Sequence, residues 1–350
     1  MIESPPRFFM RRYERWDQPF VLDLMRQSLG ESSNLRRSEE VWTWKHVDNW
    51  FGASHVMVAT SQLVPIVGLR AFMRWRFRVS DEVYSAVRAV DTATHPDFQR
   101  RGMFSQLTSR AVVDVRNDGT DIVFNTPNDK SRPGYLKLGW RPVGDVQPLV
   151  KILNHRNFAA GMVRYKLGRN GHSELNERDF IKDMRPAPVD SLLARDGIDT
   201  LILANEHRWR GFIRTDVDAA FLRWRYQDHP SLRYFSAWIE HAGHLEAAAI
   251  FRLNRRFGLR EIVLSELMLE RSDQKLVDEL IERLRDRVWG DYLIGYAGAR
   301  SPDAVLLAGA GFRRFPIAAM TLTANPLTTR VANWDSLEDW GLGLGDLEYF

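Results

Sequence analysis

A short motif occurs twice in this chain, and its repetition limits the possible folds more than any other feature of the sequence. The segment VWTWKHVD at 41–48 is echoed by FLRWRYQD at 221–228, which places Trp224 at an offset of 180 residues from Trp44. A pair of glycine and an aromatic residue also recurs, first at Gly139 and then at Gly311. Segments that recur in the same order indicate duplication of one folding unit. The 350 residues are therefore predicted to form two copies of one fold.

The pattern of apolar residues predicts the order of elements in each copy. In the first half it predicts a helix, three strands, a helix, a strand, a short helix and a strand. The corresponding ranges are 12–29, 55–60, 64–73, 83–94, 102–115, 121–125, 134–138 and 140 onward. In the second half, strands are predicted at 245–253, 260–269 and 292–296, with a helix at 273–289 between the last two. The segment 151–188 lacks this organisation, because a basic piece at 158–165 that could form a helix gives way to Gly168, Gly171 and Pro186-Ala187-Pro188, and we interpret it as a linker.

Composition excludes several classes of protein. The absence of cysteine removes disulfides, thiolate metal sites and a cysteine nucleophile. The segment 1–12 lacks the apolar stretch of a signal peptide, and no window has the roughly 18 consecutive apolar residues of a membrane helix, so a cytoplasmic location is expected. The net charge of +4 comes from scattered arginines rather than one basic stripe, which makes nucleic acid an unlikely partner.

The segment 92–104 is a candidate phosphate-binding loop. It leads from a predicted strand into a predicted helix, where the first N–H groups have no partner within the helix and the helix dipole favours an anion. Gly102 would let the backbone approach a phosphate closely, and Arg100 and Arg101 could add charge-assisted contacts. An ordinary turn with solvated arginines is the alternative.

The segment 128–140 is a second candidate site. Its spacing is Asn128, Ser131, Tyr135 and then Gly139 followed by a tryptophan. A tyrosine hydroxyl can protonate a departing thiolate, whose conjugate acid has a pKa of roughly 8.5. Packing of Tyr135 on a short helix is the alternative for this residue taken alone.

Together these two segments resemble the GNAT (GCN5-related N-acetyltransferase) superfamily. The first matches the pattern Gln/Arg-x-x-Gly-x-Gly/Ala at Gln99 and Gly102, but has Phe104 at the last position. The second matches Asn-x2-Ala-x3-Tyr-x3-Gly-Phe, with Ser131 in place of alanine and a tryptophan in place of phenylalanine. The resemblance covers about residues 8 to 150.

The resemblance implies a fold, a co-substrate and a set of site residues. The fold class would be α/β (α+β), with two GNAT-like domains, each a mixed and mostly antiparallel sheet flanked by helices. Acetyl-CoA or another acyl-CoA would be the co-substrate, with no metal, and Tyr135 would be the acid. The implied coenzyme-binding residues are Thr92, Ala93, Thr94, Gln99, Arg100, Arg101, Gly102, Met103, Phe104, Asn128 and Ser131.

The second copy lacks both motifs, and the domain bounds follow from this asymmetry. The loop that corresponds to 99–104 is 270–275, which has no glycine and extra acidic charge, and Leu307 stands where a tyrosine would be expected. We therefore expect a catalytic GNAT domain at 1–150, a linker at 151–188, a degenerate GNAT-like domain at 189–326 and a C-terminal tail at 327–350.

The acceptor side is less defined in the sequence. Asp91 is the first candidate for the general base because it lies on the strand that leads to the phosphate loop, and His46 and His95 are further options. A structural hydrogen bond is the alternative for each of these residues. The tail at 340–350 resembles the ending of tandem GNAT proteins encoded near bacterial polysaccharide genes, which suggests an amino sugar as acceptor. A disordered acidic tail is the alternative.

The predicted function is N-acyl transfer from acyl-CoA to a small primary amine by direct transfer in a ternary complex. Two alternatives stay open at this point. One is an aminoacyl-tRNA-dependent transferase on a tandem GNAT-like fold, and the other is a non-catalytic scaffold that binds coenzyme A.

Overall fold

The structure is a computed structural model that describes residues 7–30, 37–168, 175–315 and 319–347. The first half follows the predicted order, with two strands (the first and the last) and a helix in addition. Its elements are β1 (Phe8–Arg12), α1 (Gln18–Leu29), α2 (Glu39–His46), β2 (His55–Ser61), β3 (Gly68–Val79), β4 (Glu82–Thr94), α3 (Met103–Asn117), β5 (Ile122–Asn125), α4 (Arg132–Lys137), β6 (Arg141–Val146) and β7 (Leu149–Ile152). The first helix starts at Gln18 rather than at Arg12, because Phe8–Arg12 pairs antiparallel with β2.

The second half repeats much of this order. Its elements are α5 (His155–Lys166), β8 (Ala187–Pro188), α6 (Val189–Leu193), α7 (Ile198–Arg208), β9 (Arg214–Thr215), α8 (Ala219–Leu222), β10 (Tyr234–His241), β11 (His244–Arg256), β12 (Leu259–Leu269), α9 (Gln274–Arg287), β13 (Tyr292–Gly295), α10 (Pro302–Gly309), β14 (Arg313–Arg314), β15 (Met320–Pro326) and α11 (Leu344–Leu347). A π-helical turn at Arg223–Gln227 follows α8. Among the described residues, no helix is long and apolar enough to cross a membrane.

These strands form two mixed and mostly antiparallel sheets flanked by helices, which confirms the predicted fold class. The first sheet has the order β1-β2-β3-β4-β5-β15-β6, with β9 attached to β3. The second has the order β14-β7-β13-β12-β11-β10-β8. In each sheet one pair is parallel, β4 with β5 and β12 with β13, as a crossover through a helix requires.

The two sheets exchange a strand. β15 comes from the end of the chain, yet it lies between β5 and β6 and pairs with both. β7 follows the first sheet in sequence, yet it lies between β13 and β14. The domain bounds 1–150 and 189–326 stay a prediction. Two strands, β7 and β15, pair in the sheet that the other half of the chain mainly forms. Neither sheet is complete without a strand from the other half of the chain.

The repeated tryptophans lie where the two halves meet. The Trp44 indole N–H donates to the Trp224 carbonyl oxygen at 2.7 Å, and the Trp224 indole N–H donates to the Trp44 carbonyl oxygen at 3.0 Å. Their rings stack with centroids 5.1 Å apart and an angle of 16° between planes. Such reciprocal contacts are those of a two-fold interface, here between two copies within one chain. Trp44 is therefore a packing residue of the interface.

Candidate active site

β4 runs on past the end of β5, and the space beside its last residues is here called the cleft. The two strands pair in parallel only from Ala86 to Arg88, opposite Ile122 to Phe124. Beyond this point β4 continues to Thr94, whereas β5 ends at Asn125. The predicted coenzyme strand Thr92–Thr94 pairs with β3 on its other side, at Gly68 to Arg70. Its side toward β5 is a strand edge to which an extended ligand can add through main-chain hydrogen bonds.

The predicted phosphate loop lies at the beginning of α3. Arg100 and Gly102 both adopt left-handed backbone conformations, with φ of 61° and 72°, which turn the chain sharply into the helix. The first hydrogen bond of the helix is donated by the Gln106 N–H to the Gly102 carbonyl oxygen at 3.0 Å. The N–H groups of the first turn precede this bond and lie at the positive end of the helix dipole. The loop therefore has the form of an anion site.

The side chains of this loop divide into two groups. Gln99 donates to the Thr94 carbonyl oxygen at 3.4 Å, and Arg101 donates to the Asp97 carbonyl oxygen at 2.8 Å, so both hold the loop in shape. Arg100 is exposed, and no ion pair of the described residues involves it. It is the side chain best placed to meet a phosphate.

Met103 and Phe104 fit against glycines. A Cβ at Gly68 would lie 2.3 Å from the Met103 sulfur, and a Cβ at Gly134 would lie 2.8 Å from a ring carbon of Phe104. Phe104 meets the Tyr135 ring edge to face, with centroids 5.3 Å apart. The departure of Phe104 from the family pattern is thus accommodated by Gly134 on the facing helix.

Asn128 and Ser131 form the turn that starts α4. The Asn128 Oδ1 accepts from the Lys130 N–H at 3.1 Å, and from the Ser131 N–H and Oγ at 3.0 Å each. Asn128 is exposed. The observed role of this pair is to fix where α4 begins, and with it the position of Tyr135.

Tyr135 is buried at the inner side of α4. Its side chain is 2 % exposed and its ring packs against Trp140, with centroids 5.3 Å apart. The Tyr135 hydroxyl oxygen accepts a hydrogen bond of 2.7 Å from Nη2 of Arg70, a fully buried residue of β3. No sequence pattern singled out Arg70, because an arginine in an apolar strand is ordinarily taken as an exposed position.

Asp91 lies in a β-bulge and in a cluster of charges. Two residues of β4, Val90 and Asp91, stand opposite one residue of β3. The Asp91 carboxylate accepts from the Lys45 ammonium at 2.6 Å and from the His46 Nε2 at 2.9 Å, which leaves the His46 Nδ1 to accept from Ser54. Burial alone would raise the pKa of Asp91, but the Lys45 charge and the His46 hydrogen bond together hold it well below its usual range. Such a carboxylate is a weak proton acceptor, which disfavours the predicted role of Asp91 as general base.

The two histidines named as alternatives also have structural partners. Burial lowers the pKa of His46, and its ring packs against Trp42 with centroids 4.2 Å apart. His95 Nδ1 accepts from the Asp97 N–H at 3.3 Å and so caps the short turn before the phosphate loop.

The C-terminal segment reaches the point where β4 and β5 separate. Arg88 donates to the carbonyl oxygens of Asp346 and Leu347, the latter at 3.0 Å. Burial and the nearby Arg225 lower the pKa of Arg88 to about 9. Sequence reasoning missed this contact, which joins residues 258 positions apart. The predicted tail also includes 348–350, which lie outside the described residues.

The second copy keeps a carboxylate at the place of Asp91 but not the glycine-containing turn at the start of α3. The parallel pair Glu261–Tyr292 of the second sheet corresponds to the pair Ala86–Ile122 of the first sheet. Counting the same number of residues onward along each strand places Glu266 at the position of Asp91. It accepts from the Tyr226 hydroxyl at 2.6 Å, and Tyr226 lies in the repeated motif at the place of His46.

The helix that corresponds to α3 has its own cap. In α9, the Asp273 carboxylate accepts from the Lys275 N–H at 2.9 Å. An acidic side chain therefore stands where a phosphate would bind. Leu307, at the place of Tyr135, is buried in the second core.

Comparisons with known proteins agree with this architecture. Residues 10–143 match the family model of the acetyltransferase (GNAT) domain. No curated protein is significantly similar to the chain in sequence. The strand edge at Thr92–Thr94 and the turn into α3 both lie within the matched residues. Residues 10–143 therefore form a GNAT domain.

Solved structures share the fold over nearly the whole chain. A GCN5-related N-acetyltransferase from Anabaena variabilis is 10% identical with a TM-score of 0.63, over 92% of this chain and 73% of its own. A probable N-acyltransferase from Enterococcus faecalis is 10% identical with a TM-score of 0.60, over 92% and 72%. Saccharomyces cerevisiae N-myristoyltransferase, solved with myristoyl-CoA, is 10% identical with a TM-score of 0.57, over 97% and 86%. At this identity the likeness extends to the fold alone.

Proposed function

We propose that this GNAT protein transfers an acetyl or other acyl group from coenzyme A to a primary amine, directly and in a ternary complex. The observation that carries the proposal is the unpaired edge of β4 beyond β5, together with the turn into α3, which has the form of an anion site, and the buried Tyr135 on α4. The pyrophosphate would meet the N–H groups at the start of α3 and the exposed Arg100, while the pantetheine arm would add to the edge at Thr92–Thr94. Gly102 suits this role because the space beside its Cα is open. A Cβ added there would have only the side-chain nitrogen of Gln106 nearby, at 3.5 Å.

The chemistry proposed for the cleft needs one acid and no metal. The amine nitrogen attacks the thioester carbonyl, a C–N bond forms, and the C–S bond breaks as the tetrahedral intermediate collapses. The departing sulfur takes a proton from the Tyr135 hydroxyl, which lies beside the cleft on α4. The proton that the amine nitrogen loses passes to water in this proposal, not to Asp91. Its ion pair with Lys45 instead holds α2 against the bulge of β4.

The acceptor is proposed to be an amino sugar bound against the C-terminal segment, in the cytoplasm. The described part of this segment, up to Leu347, reaches Arg88 at the apex of the cleft, so it would form a wall of the acceptor site. The second half contributes this wall rather than a second coenzyme site.

Binding of acetyl-CoA is the first test. A ligand at 100 times its dissociation constant stabilises the folded state by about 2.7 kcal/mol, which a thermal shift detects readily. Arg100→Ala should weaken the shift, because it removes a charge from the loop. The matched control is Arg271→Ala in the corresponding loop of the second copy, which should leave the shift unchanged. A wild-type protein whose unfolding temperature ignores acetyl-CoA would contradict the proposal.

Turnover is the second test. Release of free thiol from acetyl-CoA is measured with amino sugars, polyamines and amino acid amides as acceptors. Tyr135→Phe should lower kcat and leave the affinity for acetyl-CoA nearly unchanged. Equal rates in the two proteins would remove Tyr135 from the acid role, and rates independent of every amine would contradict N-acyl transfer.

A further inference from the structure

Arg70 is a buried cation with an incomplete set of partners. Its side chain is fully buried in the middle of β3, and its Nη2 donates to the Tyr135 hydroxyl oxygen at 2.7 Å. Its Nε and Nη1 atoms are buried without a hydrogen-bond partner among the described residues. The guanidinium lies among three rings, with its carbon 4.8 Å from the centroid of Phe72, 5.0 Å from Tyr135 and 5.7 Å from Phe104.

Two other arginines with buried side chains are better compensated. Arg208 donates to the Asp303 carboxylate at 2.6 Å, and Arg225 donates through two nitrogens to the Gly345 carbonyl oxygen. No ion pair of the described part of the chain includes Arg70. A buried charge without an anionic partner is costly, and a hydrophobic side chain of similar length would fill the same space at lower cost. The position of Arg70 beside Tyr135 therefore calls for a reason other than packing.

We infer that Arg70 is a positioning residue for Tyr135 in acyl transfer, an inference that rests on the function proposed above. A guanidinium can only donate hydrogen bonds, so the bond from Nη2 must end on a lone pair of the Tyr135 oxygen. The hydroxyl proton is then directed away from Arg70 and is free to be donated. A free phenol can turn its proton toward any acceptor, whereas this one is fixed in the orientation of a donor.

Arg70 also supplies the charge that the proton transfer needs. When the Tyr135 O–H bond breaks and the S–H bond forms, negative charge moves from the sulfur to the phenol oxygen. The bond from Nη2 then becomes a charge-assisted one, which is stronger than the bond to the neutral hydroxyl. Because this gain is largest after proton transfer, it favours the products of that step. The phenolate regains its proton from water after coenzyme A leaves.

Double-mutant analysis separates this role from simple packing. Arg70→Met, Tyr135→Phe and the double variant are compared with wild type by thiol release from acetyl-CoA, with the best acceptor of the amine panel. Each single change should lower kcat by about 100-fold, the lower end of the range for one general acid, with KM for acetyl-CoA nearly unchanged. The double variant should be no slower than the slower single variant, because Arg70 acts only through the Tyr135 hydroxyl. Arg70→Lys, which keeps a charge and donors, should restore part of the rate.

The matched control lies on the same strand. Arg74 donates to Thr120 and Asp118 far from the phenol, so Arg74→Met should leave kcat unchanged. If Arg70→Met does not give a native circular dichroism spectrum, Arg70→Lys and Arg70→Lys/Tyr135→Phe form the same cycle. Losses that multiply in the double variant, or an Arg70→Lys protein as slow as Arg70→Met, would overturn the role of Arg70 while leaving acyl transfer in place. A wild-type protein that releases no thiol from acetyl-CoA would overturn both.

Discussion

A fragment that ends after β7 should not fold, because the first sheet needs β15. In a fragment of residues 1–154, the place between β5 and β6 is empty. The residues lost include Leu322, Ala324 and Trp340, all fully buried. Burial of Leu322 and Ala324 contributes about 3 kcal/mol, and a buried tryptophan such as Trp340 at least about 3 kcal/mol more. The sum of about 6 kcal/mol is a large part of the 5–15 kcal/mol that stabilises an ordinary domain.

The assay compares three proteins by urea unfolding, circular dichroism and amide hydrogen exchange. They are the full chain, the fragment 1–154, and a control in which 319–347 is joined to 1–154 by a flexible linker. The control restores β15 and the segment that contacts Arg88, and it should recover cooperative unfolding and exchange protection of Ile122–Asn125. The isolated fragment should unfold without cooperativity and aggregate through its two open strand edges. Cooperative unfolding of 1–154 alone, with β5 protected, would refute the assignment of β15 to the first sheet.

Three further changes test the buried charges and one close contact. Burial and the neighbouring Asp346 raise the pKa of Glu266 to about 7, so the folded state retains a proton that the unfolded chain loses, and stability should fall as the pH rises from 4.5 through 7. Glu266→Gln should flatten this profile in urea titrations at pH 5 and pH 8, and an unchanged slope would contradict it. Asp91→Asn should cost about 3–5 kcal/mol in thermal unfolding because it leaves the Lys45 ammonium buried and unpaired, and a loss under about 1 kcal/mol would mean that water reaches the site. Gly134→Ala should destabilise the protein by about 1–3 kcal/mol through its contact with the Phe104 ring, and Phe104→Leu should relieve most of this loss if that contact is the cause.

The sequence alone was sufficient for the local order of elements and for the two motifs. Runs of alternating and helical apolar residues predicted the path from β2 to β6, because each depends on neighbours within one element. The motif around Gly102 lies at the start of a helix as predicted, since a left-handed glycine and unpaired N–H groups are consequences of local chain geometry. The repeated tryptophan motif likewise indicated two copies before any contact was known.

Partners distant in sequence were decided by tertiary structure alone. The exchange of β7 and β15 cannot be derived from periodicity, because a strand shows the same alternation in either sheet. Asp91 illustrates the same limit at the site: its residue type suggested a base, but the Lys45 and His46 side chains that lower its pKa come from another element. The role of Arg70 could not be predicted from the sequence, because it depends on a contact with Tyr135, 65 residues away. The sequence thus determined which chemical groups are present and the local shape that presents them, while packing between elements determined which of those groups meet and what charge each one carries.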